Sequence, residues 1–96
     1  MKTVSVDDHF GEMLNWAVRY ALGRKTYAVG DTCAYIKPLI KDLNNRTLTC
    51  ISRDIKEQEP HGYGDQCDYD DWMGLLALID REIEERIDGI IDKEFI

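Results

Sequence analysis

A chain of 96 residues suits one domain and buries roughly 60 to 70% of the surface that its unfolded form exposes, so a single core can form without metal or disulfide staples. With 44% hydrophobic and 32% charged residues, the composition is globular and excludes a disordered tail. The formal net charge of −7 is lopsided: residues 1–60 hold nine Lys/Arg against eight Asp/Glu, which is +1, and residues 61–96 hold three against eleven, which is −8, so no direct nucleic-acid binding through a basic footprint is expected.

The opening MKTVSVDDHF has one Lys and then acids, without the apolar run of a signal peptide, and no later stretch reaches transmembrane length. A cytoplasmic protein with no membrane partner is expected. Cys33, Cys50 and Cys67 are odd in number and fall in different segments, as free thiols of a reducing compartment would.

Ser5 followed by Asp8 resembles a capping box and predicts a first helix over about residues 6–22. Phe10, Met13, Leu14, Ala17, Val18, Ala21 and Leu22 recur at spacings of three and four, which places them on one core-facing stripe, and Gly23 is suited to a left-handed stop. Asp31 predicts the cap of a second helix over 32–43, with Cys33, Ile36, Ile40 and Leu43 inward. Pro38 lies inside it and forces a kink or a restart, and Asn44 with Asn45 makes the break.

Leu48, Ile51 and Ile55 carry a third helix over about 46–58, which Pro60 prevents from running much further. The segment PHGYGDQCDYDD has no helical period and reads as the longest loop. Asp68 and Asp71 offer an N-cap and a first-turn acid for the longest helix, whose stripe is Trp72, Leu75, Leu76, Ile79, Ile83 and Ile87. Only Tyr27–Val29 and Thr47–Ile51 are enriched in strand formers, and neither alternates for long. The expected fold is a single all-α domain over 1–96, a bundle of about four mainly antiparallel helices with a long C-terminal helix.

Three isolated Cys and two His do not supply the close ligand pairs of a structural zinc site, and the aspartates around Cys67 lack the spacing of an EF-hand. They read as the start of a capped helix. His61 and Cys67 are a close sequence pair without an orienting third group, and there is no phosphate loop or nucleophile elbow. No enzyme, no cofactor and no metal are expected.

Two clusters remain. Between Glu12 and Asp31 the sequence has no acid, so Arg19, Arg24 and Lys25 form a positive island beside Trp16, Tyr20 and Tyr27. Rings stack on bases and Arg forks onto phosphate, so the island suits a nucleotide-like anion. Alternatively, Trp16 and Tyr20 flank the core while Arg19 and Arg24 pair with acids of the fourth helix. The second cluster is the acidic half, where Asp80, Glu82, Glu84, Glu85 and Asp88 would offer a partner-binding field to a basic protein or serve as a solvated helix face. Glu82 and Arg86, four apart, suit an exposed pair worth roughly 0.3 kcal/mol.

The last turns of the fourth helix hold Ile87, Ile90, Ile91 and Phe95, beyond the reach of shorter neighbours, and predict a homodimer through those residues. Gly89 would let the tail bend back instead.

At RYALGRKTY, residues 19–27, with SRDI at 52–55 and GYGDQCD followed by Trp72, the chain resembles small phage- and prophage-encoded proteins of Gram-positive bacteria. The resemblance spans roughly residues 14–76 and brings no catalytic residue with it. It implies a phage context, in which small acidic proteins often act against host defence as anti-CRISPR-like inhibitors or as sponges for nucleotide signals. The leading expectation is a non-catalytic inhibitor that binds a host defence protein through its acidic half. The alternatives are a sponge built on the Arg/aromatic cluster and a structural or assembly protein of the phage particle.

Overall fold

The computed structural model describes the backbone of residues 8–24 and 29–95, and side chains for 10–23 and 29–88. Within these residues the chain is all-α: α1 (Asp8–Arg24), α2 (Val29–Ile36), a 3₁₀ segment (Lys37–Asp42), α3 (Asn45–Glu57), a 3₁₀ turn (Glu59–His61) and a long α4 (Gln66–Phe95). No helix among the described residues is long and apolar enough to cross a membrane.

On α1 the helical period buries Leu14, Val18, Ala21 and Leu22, but Met13 and Ala17 of the predicted stripe face outward. Seven apolar residues at mixed three and four spacings wrap too far around a helix for one neighbour to cover. Gly23 does not terminate the helix: it has no positive φ, and α1 continues to Arg24. Near the other end, Gly11 gives α3 room. A Cβ there would run into Thr47 Oγ1 and lie 3.3 Å from Thr47 Cβ.

Asp31 lies in the first turn of α2 rather than capping it, since the helix already starts at Val29. Pro38 has the effect expected of a ring without an N–H donor: α2 stops at Ile36 and the chain tightens into the 3₁₀ segment, with Pro38 in its first turn. Asn44 then caps α3, its side chain accepting the Thr47 amide at 2.8 Å. Leu48, Ile51 and Ile55 enter the core.

The cap of α4 is Asp65, three residues ahead of the expected Asp68; its carboxylate accepts the Asp68 amide at 2.9 Å. Gly62 and Gly64, at φ 83° and 105°, turn the chain into that helix, and a Cβ on Gly64 would also strike the Asp68 carboxylate. Between them Tyr63 is buried, its hydroxyl donating to the Ile55 carbonyl at 2.7 Å and its ring standing edge-on to Tyr69 at 5.7 Å.

The helices close around Trp72, the largest fully buried side chain, with Leu75 and Ile79 following on α4. Packing pairs α1 with α3 and α2, whereas α4 lies on α2, α3 and the 3₁₀ segment. Polar bonds tie α3 to α4, since Asp80 accepts from the Ser52 hydroxyl at 2.8 Å on one oxygen and faces Lys56 at 3.3 Å on the other.

Candidate interaction surface

Because α1 rests on α3, Arg19 meets an acid of α3, and among the described residues it has no ion pair with the fourth helix. Its Nε donates to Asp54 Oδ2 at 3.2 Å, and its guanidinium carbon lies 5.4 Å from the centre of the Trp16 ring. Beside it a recess of about 270 Å³ is lined by Arg19, Leu22 and Gly23 and by Asp54, Glu57 and Gln58 of the facing segment. The sequence island free of acids is therefore bordered in space by two carboxylates, which oppose an anion at Arg19. The Arg24 side chain, Lys25 and Tyr27 lie outside the described residues.

Trp16 and Tyr20 do not flank the core. Together with Met13 on α1 and Tyr35 on α2, each exposes more than half of its surface. Met13, Trp16, Ala17 and Tyr20 are spaced three, one and three apart, so α1 has a second apolar stripe turned away from the core. This stripe runs into a groove of about 440 Å³ lined by Phe10, Met13, Leu14 and Ala17 of α1 and by Asp31, Thr32, Tyr35 and Ile36 of α2. Asp31 is the one carboxylate in that lining. Trp, Tyr and Met at such density are the side chains over-represented at the centres of protein contacts, where they bury large area at low entropic cost.

Three of the five predicted partner-binding acids of α4 are paired within the molecule. Besides Asp80, Glu82 accepts from Arg86 Nε at 2.9 Å and from Lys41 Nζ at 3.2 Å, and Glu85 faces Arg81 at 3.4 Å. Arg86 and Lys41 hold the Glu82 carboxyl below its ordinary pKa. The Glu82–Arg86 pair is more than an exposed helix pair, for Arg86 is half-buried and also donates to the carbonyls of Ile40 and Lys41 and to Asn45 Oδ1. Of the five predicted partner-binding acids, Glu84 and Asp88 remain exposed with no ion pair among the described residues. Ile87 is 51% exposed; the side chains of Ile90, Ile91 and Phe95 lie outside the described residues.

Burial and the nearby Asp71 carboxylate push the Cys33 thiol up to about 12, which keeps it protonated near neutrality. Cys50 is half-buried and Cys67 exposed, and all three thiols are free. No group of three or more His, Cys, Asp or Glu among the described residues is placed to hold a metal ion.

Met13, Ala17 and Tyr35 are surface residues that sequence reasoning missed. Their signal was the excess width of the α1 stripe and the position of Tyr35 out of phase with Cys33, Ile36 and Ile40. Comparison with known families, curated proteins and solved structures returns no match for this chain, so residues and geometry carry the functional reading.

Proposed function

We propose that this is a non-catalytic phage counter-defence protein of the cytoplasm that binds a host defence protein and blocks it, with the α1–α2 face as its main contact. The observation that carries the reading is the outward stripe of Met13, Trp16 and Tyr20 running into the apolar groove. Leaving large apolar groups in water forgoes roughly 1.5 to 3 kcal/mol for each that could be buried, which a folded monomer recovers only by binding. An inhibitor of this kind needs a surface, not a reacting group. The paired acids of α4 shift the contact away from the C-terminal half, with Glu84 and Asp88 left as peripheral charge that steers a basic partner.

A nucleotide sponge draws less support, because Arg19 would have to leave Asp54 to hold a phosphate. The homodimer belongs to the same proposal, with Ile87 as its described contact residue.

The test is phage plating on paired bacterial hosts that differ only in carrying a defence system, with and without this protein. Plating should rise in the defended host alone, and purified protein should block the purified defence effector at a one-to-one ratio. No rise in any defended host, or a complete block far below stoichiometry, overturns the reading.

A further inference from the structure

The shape and charge of the α1–α2 face say what fits it. From Phe10 in the groove lining to Tyr20 at the end of the stripe, groove and stripe together run about 15 Å along α1 at 1.5 Å per residue, which is nearly three helical turns. A small apolar molecule could fill the groove, but Trp16 and Tyr20 are not part of its lining and would stay in water. A helix laid along α1 covers both the groove and these two rings. Charge adds direction, for Asp31 is exposed at the start of α2 in an otherwise uncharged lining, and no ion pair engages it among the described residues.

We propose that the α1–α2 face receives an amphipathic helix of the partner protein, about three turns long, with apolar anchors at i, i+3, i+4 and i+7 and a Lys or Arg opposite Asp31. This rests on the reading of that face as the contact, and adds the chemistry of its occupant.

The probe is a synthetic Leu/Lys helix of about 14 residues with Leu at those spacings, run beside a scrambled peptide of the same composition and a version with Glu in place of Lys. Trp16 is the reporter, because Trp72 is fully buried and acrylamide quenching that disappears in Trp16→Phe belongs to Trp16. The Leu/Lys helix should shield Trp16. Ala17→Gln, which places a polar side chain in the groove, should weaken binding about tenfold or more, and Asp31→Asn about three- to tenfold. Glu84→Gln makes the same charge change away from the face and should stay within about twofold. If Ala17→Gln loses its helical spectrum, Tyr35→Ser on α2 serves instead.

Equal binding of the scrambled or Glu peptide overturns the inference, as does an equal loss in Asp31→Asn and Glu84→Gln. A fatty acid that occupies the groove while the peptide does not, or self-association abolished by Ala17→Gln, also overturns it in favour of another occupant. The two levels separate in the plating assay. Full activity of folded Ala17→Gln removes the face as the contact, whereas lost activity without peptide binding removes only the helical occupant.

Discussion

Gly11→Ala probes the approach of α1 to α3, on which the outward turn of Met13, Trp16 and Tyr20 depends. A methyl at Gly11 meets Thr47 Oγ1 and also lies 3.3 Å from Thr47 Cβ, so rotating the hydroxyl away does not free the whole contact. Thr47 is buried, β-branched and fixed at the first turn of α3 by the bond from its amide to Asn44. Overpacking of this kind costs about 1 to 3 kcal/mol, and the stiffness of Thr47 places it at about 2 to 3. Replacing Gly by Ala inside a helix returns about 1 kcal/mol, leaving a net loss of about 1 to 2. Each kcal/mol lowers the thermal midpoint by about 4 to 8 °C for a domain of this size. Urea and thermal unfolding of Gly11→Ala, Thr47→Ala and the double variant measure the coupling. In the Thr47→Ala background the clash is gone, and Gly11→Ala should stabilise by about 0.5 to 1 kcal/mol. If Gly11→Ala stabilises the wild type as much, α1 does not sit on α3 in this way.

Tyr63→Phe removes the buried bond to the Ile55 carbonyl and should cost about 1 to 1.5 kcal/mol in urea unfolding; an unchanged midpoint would show that this bond does not hold the turn to α3. Glu82 has a folded-state pKa lowered by Arg86 and Lys41, so its contribution is present above the ordinary value of 4.5 and is lost as pH falls from there through the lowered value. Acid titration should therefore show Glu82→Gln losing less stability below pH 4.5 than the wild type, and parallel curves would refute the pairing. For the proposed homodimer, sedimentation should give a dimer for the intact chain and a monomer for a chain ending at Asp88. Two monomers would end that proposal.

The buried faces were legible where one period met one neighbour. Leu48, Ile51 and Ile55 on α3 and Trp72, Leu75 and Ile79 on α4 are core residues in both sequence and structure. On α1 two apolar stripes lie side by side, and periodicity alone merges them, so Met13 and Ala17 read as core. The cap of α4 was misplaced because Asp65, Asp68, Asp70 and Asp71 all have capping chemistry, and the choice among them depends on the backbone turn at Gly62 and Gly64. Charge was legible as composition but not as pairing. Lys41 and Glu82 are 41 residues apart, and Arg19 and Asp54 are 35 apart, so only the packing of helices reveals which acids remain free. The candidate site moved for that reason, from the acids of α4 and the island around Arg19 to a face assembled from α1 and α2.

Whether the α1–α2 face or the acidic end of α4 carries the contact is read most directly from plating on a defended host with two double variants. Trp16→Ser/Tyr20→Ser strips exposed rings from α1, and Glu84→Gln/Asp88→Asn neutralises two exposed acids of α4 that have no ion pair among the described residues; circular dichroism verifies that each is folded. The first should lose about tenfold or more of the protection given to the phage, and the second should stay within about twofold of the wild type. Full protection by Trp16→Ser/Tyr20→Ser together with loss in Glu84→Gln/Asp88→Asn would contradict the assignment and return the contact to the acidic half.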